Sequence, residues 1–144
     1  MGNFAYGTRH TTAGIEVVWD LLVDVEHWPE TFTRHLRAAH LDGRLEIGTV
    51  GWVETRFPPL RSSFVVTSVE DGKRWAWRGK VLWLTIDFDH RCESAGSSCL
   101  ITLDVNLDGF LGGPCRVLAR PVYRRQMERA LDLLVQTAEA RAQT

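Results

Sequence analysis

Glu54, Arg56 and His90 are the side chains of this chain whose types and placement could do chemistry. In residues 52–57 one alternating set is Trp52, Glu54 and Arg56, and the other is Val53, Thr55 and Phe57. If the first set faces inward, as its tryptophan suggests, a carboxylate and a guanidinium share an apolar interior with His90. Buried ions of that kind must be paired or face a wet cavity. A preorganised guanidinium can stabilise an enolate or another developing oxyanion, while a neighbouring carboxylate or imidazole carries the proton. The same residues admit a plainer reading. Glu54 and Arg56 then form a structural pair, or point outward if the parity is reversed, and His90 is a core histidine bonded to a backbone carbonyl or a tyrosine.

Other chemistries find little support. His10, His27, His35, His40 and His90 show no H-x-x-x-H spacing, and Cys92, Cys99 and Cys115 no C-x-x-C, so neither metal nor cofactor is expected. Residues 109–114 lack the pattern of a phosphate loop, and no Ser/His/Asp arrangement stands out. Seventeen Lys plus Arg against 18 Asp plus Glu leave a net charge of -1, which argues against a nucleic-acid binder. Residues 1–10 lack a basic region followed by an apolar stretch and no apolar run approaches bilayer length, so neither a secretory nor a membrane-spanning segment is expected, and an odd count of three cysteines suits a reducing cytoplasm. One charge feature is local: Arg116, Arg120, Arg124, Arg125 and Arg129 recur at spacings near four. This basic stripe is either a solvated helix face or a docking strip for an acidic partner, such as an acyl carrier protein or an anionic membrane surface.

The elements that must position these groups follow from hydrophobic period. Residues 3–11 alternate, with Phe4, Tyr6, Thr8 and His10 on one side, and predict a strand. From Gly14, helical spacing of Ile15, Val18, Trp19 and Leu22 predicts one or two short helices, stopped at Trp28-Pro29. A period of two then holds over residues 36–107, broken by turn signals at Asp42-Gly43, Pro58-Pro59, Asp71-Gly72 and residues 94–97, which predicts five or six antiparallel strands. After Gly112-Gly113-Pro114, apolar residues from Tyr123 to Ala138 recur at three and four, predicting a long final helix kinked at Pro121. The 144 residues therefore read as one α+β domain with helices on one face of an antiparallel sheet. Parity turns Ile86, Phe88, His90 and Cys92 toward the helix, together with Trp75 and Trp77. Six tryptophans are a heavy load, and large aromatics are costly to leave in water, so Trp52, Trp75 and Trp77 form either a stacking wall for a flat ligand or ordinary core. Tyr123 and Met127 form a cavity floor or helix-to-sheet core.

Several segments together resemble the START-like or Bet v 1-like helix-grip superfamily, and within it the polyketide cyclase/dehydrase group. They are residues 18–30 with Trp28-Pro29-Glu30, residues 69–78 with Trp75-Ala76-Trp77, residues 90–93, and residues 107–113 leading into the last helix. The resemblance implies a helix-grip fold: a curved antiparallel sheet wrapped around the long C-terminal helix, with two short helices after the first strand. It implies an internal cavity for an apolar or aromatic small molecule and leaves the reaction open, since such proteins include cyclases, carriers and receptors. Arg56 takes the position of a cavity arginine in aromatase/cyclases. Three positions depart from their pattern: His35 stands where they tend to have a tyrosine, Glu54 where they have a small hydroxyl residue, and Val66 near a second arginine. The implied lining is Tyr6, His35, Trp52, Trp75, Trp77, Phe88, Tyr123 and Met127. The expected function is binding of such a molecule by a monomer or homodimer. The alternatives are a cofactor-free cyclase, aromatase or dehydratase using Arg56 with His90 or Glu54, and an interaction module using the arginine stripe.

Overall fold

The alternating run folds as six strands: β2 (Leu36–Leu41), β3 (Val50–Thr55), β4 (Arg61–Glu70), β5 (Arg74–Val81), β6 (Leu84–Ala95) and β7 (Ser98–Asp108). Together with β1 (Ala5–Thr11) they make one curved antiparallel sheet in the order β1-β7-β6-β5-β4-β3-β2. This computed structural model describes residues 4–109 and 113–143, with side chains described outside 113–116; Gly112, Cys115 and the side chain of Arg116 in the expected stripe lie outside that description. Two short helices, α1 (Ile15–Val23) and α2 (Trp28–Thr31), follow β1, and α3 (Gly113–Ala142) closes the chain. Pro29 does not stop α1, which ends at Val23; it sits in the first turn of α2, where its missing N–H is not needed. Pro121 lies inside α3, which continues through it.

The helix seats on the inner face of the sheet at β1. Met127, Ala130, Leu131, Leu134 and Ala138 are buried at spacings of three and four, as an amphipathic helix requires. Gly7 on β1 allows the approach, because a Cβ there would lie 2.9 Å from Leu131 Cδ1 and 3.4 Å from Met127 Sδ. Gly7→Val is therefore expected to lift α3 from β1 at a cost of about 1–3 kcal/mol. Urea denaturation measures it, and an unchanged midpoint would show that α3 does not press on β1.

Register decides which residues face α3. Trp75, His90 and Leu103 stand side by side on β5, β6 and β7, as do Trp77, Phe88 and Val105. On β4, the pairing shift between Val66 and Ser68 changes parity, so Val66 opposes Trp77 and Val69 opposes Trp75. Burial along β6 and β7 falls toward one end: His90 and Leu103 are buried, whereas Phe88, Ile86 and Leu107 are half-buried. At that same end Val117, Leu118 and Val122 of α3 are 60–73% exposed. The inner face of the sheet is therefore packed at the α1–α2 end and more open, among the described residues, where α3 begins.

Candidate functional site

A continuous row of rings lines the inner face. Phe64 and Trp77 lie 4.8 Å apart, Trp77 and Phe88 5.5 Å, Phe88 and His90 4.5 Å, and His90 and Trp75 4.6 Å. The imidazole is nearly parallel to both of its neighbours, at 10° to Phe88 and 17° to Trp75. Trp28 of α2 and Phe32 just after it cap the deep end, 5.4 Å and 6.2 Å from His90. Pro29 starts the helical turn that carries Trp28, while Trp75 Nε1–H donates to the Leu22 carbonyl of α1 at 3.0 Å.

Three nitrogens in this row are unspent. Trp28 Nε1, Trp77 Nε1 and His90 Nε2 are buried and have no hydrogen-bond partner. The state of His90 follows from its surroundings. A backbone carbonyl only accepts, so the 3.1 Å contact with Trp75 O places the proton on Nδ1. Burial pushes the imidazole down to about 4, against the opposing effects of that hydrogen bond and the Asp89 charge, so the ring is neutral at neutral pH. Nε2 is then a bare acceptor, while the two indole N–H groups are donors. Buried polar groups are nearly always satisfied, so two donors and an acceptor left over along one aromatic wall suit a flat ligand carrying hydroxyl or carbonyl groups.

The structure brings together Trp75, Trp77, Phe88 and His90 from the sequence reading and separates the rest. The expectation for β3 is reversed. Gly51 opposes Phe64, and Val53 opposes Ser62, so Gly51, Val53 and Thr55 face inward while Trp52 and Glu54 face outward. The physical reason is crowding, since a Cβ at Gly51 would collide with the Phe64 ring, leaving no room for an inward tryptophan set. Trp52 instead lies under the Arg61 guanidinium, 3.9 Å from its ring centre, and 5.9 Å from His40. Glu54 pairs with Arg37 at 3.0 Å and Arg61 at 3.3 Å, and Arg56 is exposed beyond the end of β3, with Nε donating to the Arg34 carbonyl at 2.8 Å. Neither reaches His90's surroundings. The Glu54 carboxylate is largely covered by its two guanidinium partners, so Glu54→Gln is expected to cost about 1–3 kcal/mol and to leave inner-face ligand affinity unchanged; a collapse of affinity in the titration rejects the outward placement.

Tyr6 also departs from the expected lining: it opposes Asp104 on the outer face and is 54% exposed. Met127 packs near Gly7, and Tyr123 meets Phe4 edge-on at 5.6 Å, so both belong to the α3–β1 contact; burial raises the Tyr123 hydroxyl's pKa. His35 lies outside the row, in the loop between α2 and β2, where burial lowers its pKa. Trp28, Phe32 and Phe64 are wall residues that sequence reading did not assign to the site; the Trp28-Pro29 pair at a helix start was the available signal. Burial pushes the Cys92 thiol up to about 12 and raises that of Cys99, so neither supplies a thiolate nucleophile. Cys99 opposes Ser94 and Cys92 opposes Ile101, so the two residues are diagonal neighbours across β6 and β7, and their thiols are in contact. Among the described residues no cluster of three metal-ligating side chains occurs, and no helix is long and apolar enough to cross a membrane.

A family model described as polyketide cyclase / dehydrase and lipid transport matches residues 5–139. No curated protein matches the chain. Among solved structures, the chain superposes on the di-domain ARO/CYC StfQ of the steffimycin biosynthetic pathway with a TM-score of 0.73 and 13% identity, covering 96% of this chain and 49% of that one. The chain thus spans about half the length of StfQ. The Zhui aromatase/cyclase from Streptomyces sp. R1128 gives a TM-score of 0.67 at 15% identity, with 95% and 93% covered. A START superfamily protein from Mycobacterium smegmatis gives 0.61 at 13%, with 96% of each chain covered. At these identities the likeness is one of fold, the helix-grip arrangement of curved sheet and long C-terminal helix.

Proposed function

Because the chain belongs to the polyketide cyclase/dehydrase and lipid-transport family, we propose that it binds a flat, hydroxylated aromatic small molecule against the inner face of its sheet. One observation carries this reading: the buried, unpartnered nitrogens of Trp28, Trp77 and His90 stand along a single aromatic wall. The molecule stacks near Phe88 and Trp77, and the packed rings around His90 must part for it to present a hydroxyl to His90 Nε2. Stacking supplies affinity for any flat ring, and the nitrogens supply the preference for oxygenated ones. Two free buried thiols, Cys92 and Cys99, suit a reducing, cytoplasmic setting.

The test compares 1,8-dihydroxyanthraquinone with anthracene, read by tryptophan fluorescence quenching and native mass spectrometry, alongside identification of any copurifying compound. The hydroxylated probe is expected to bind roughly tenfold more tightly, the worth of a satisfied buried acceptor. His90→Leu removes that preference and keeps the weaker stacking. Absence of binding by both probes, with nothing copurifying, overturns the reading.

A second reading, cofactor-free cyclisation or dehydration of a polyketide, draws on the same His90 Nε2. A neutral imidazole near an enolisable substrate can accept and return a proton. The exposed Arg124, Arg125 and Arg129 of α3 suit an acidic carrier that delivers such a substrate. Turnover lost in His90→Gln with affinity retained distinguishes this reading from binding alone.

A further inference from the structure

One concave space lies away from the aromatic wall. A groove of about 480 Å³ lies between the 33–35 loop and α3. Its polar lining is Thr33, Arg34 and His35 from the loop and Gln126, Arg129 and Gln136 from the helix. Ala130 and Leu133 contribute its apolar part, and it contains no aromatic ring other than the imidazole. Such a surface suits a polar guest and is a poor match for the flat apolar body that the inner face would take.

Charge narrows the class of guest. Asp132 is the one carboxylate in the lining, and its Oδ1 is already engaged by Arg9 Nε at 3.1 Å. Arg34 and Arg129 make no ion pair among the described residues. Two uncommitted guanidiniums, two amides, a hydroxyl and an imidazole form a donor-rich lining whose complement is an oxyanion.

The loop that carries one wall of this groove is held in place. Thr33 N–H donates to Trp28 O at 2.8 Å, His35 N–H donates to Thr33 Oγ1 at 3.3 Å, and Leu36 N–H donates to Thr33 O at 3.3 Å. Arg56 pins it from the other side, with its backbone N–H on His35 O at 3.0 Å and its Nε on Arg34 O at 2.8 Å. A wall fixed before binding loses little freedom on binding. Arg56 thus has a place in the molecule far from the interior, as a positioning residue for Arg34 and His35.

We infer that this groove binds a small molecule bearing a carboxylate or phosphate group, gripped between Arg34 of the loop and Arg129 of α3. The site is separate from the aromatic wall and does not depend on the reading of that wall.

Glycerol 3-phosphate and citrate, titrated into the full chain at constant ionic strength and followed by amide chemical shifts, test the inference. Saturable shifts are expected in residues 33–36 and 126–136 with at least one of the two probes. A response to glycerol 3-phosphate alone identifies a phosphate site, and a response to citrate alone a carboxylate site. Arg34→Ala and Arg129→Ala should each weaken binding roughly tenfold, as loss of one charge-assisted contact does. Arg56→Ala should weaken it less, through a looser loop. Lys73→Ala/Lys80→Ala removes two positive charges elsewhere and should leave affinity unchanged, which separates a site from general attraction. Thermal melts confirm that each variant folds, and Arg34→Lys or Arg129→Lys serves in place of the alanine variant at the same position if that one does not. No saturable shift with either probe, or equal weakening by the Lys73/Lys80 control, overturns the inference.

Discussion

Trp75→Ala is expected to cost about 3–5 kcal/mol, which is a large share of the total stability of a domain of this size. The ring is completely buried and stacks on His90, and Trp28 and Phe64 pack around it at 5.8 Å and 6.4 Å. Its removal opens a cavity bounded by three other rings and by α1, which cannot all close in. The indole also ties sheet to helix through Nε1–H and Leu22 O, so the alanine variant leaves a buried carbonyl short of a donor. Trp75→Phe separates the two effects, since it keeps an aromatic body and removes the donor, with an expected loss of about 1–2 kcal/mol. Urea unfolding of the three proteins measures both. A loss below about 1 kcal/mol for the alanine variant would mean that the ring is not part of a packed core.

The sequence carried the architecture because two signals agreed over long stretches. Period two held through β5 to β7 and over the first half of β4, up to Val66, and glycines marked turns at Gly72 and Gly96, both of which adopt positive φ. Alternation then placed Trp75, Trp77, Phe88 and His90 on one face, as the register has them. The turn between β5 and β6 was not legible. Its apex is Leu82-Trp83, and Leu82 holds φ of 58° without a glycine or asparagine to announce it.

The site was half legible for a related reason. Strand parity says that two sets of residues face opposite ways, but it does not say which set faces in. For β3 the tryptophan was the natural guide, and it pointed the wrong way, because the deciding residue was Phe64 on the next strand, whose ring occupies the space inside Gly51. Tyr6 was misplaced similarly: Gly7, its small neighbour, is the residue that must face α3. In both strands a glycine marks the inward side, because the helix or a facing ring has taken the volume that a side chain would need. The unspent nitrogens could not be read at all, since satisfaction of a buried atom depends on contacts that no local pattern encodes.

Acid should destabilise the protein through His90 by about 3 kcal/mol between neutral pH and pH 4. The imidazole's ordinary value is 6.5, and in the fold burial holds it at about 4. Between these values the unfolded chain binds a proton that the folded chain refuses, so stability rises with pH across this window and is complete above about 6.5. His27, raised by Asp24, contributes with the opposite sign, and His35, lowered by burial, with the same sign, so the wild type alone does not isolate the effect. The difference between wild type and His90→Gln does. Denaturant unfolding at several pH values should show a wild-type advantage that shrinks by about 3 kcal/mol on acidification, and a difference that stays constant would place His90 in a wetter or better-partnered setting. Ligand binding gives an independent check on the same atom. A hydroxyl donated to Nε2 needs the neutral ring, which persists in the fold down to about pH 4, so affinity for a hydroxylated aromatic should stay level from about pH 8 to about pH 5. Affinity that falls near the ordinary histidine range would show that the acceptor is not the buried His90.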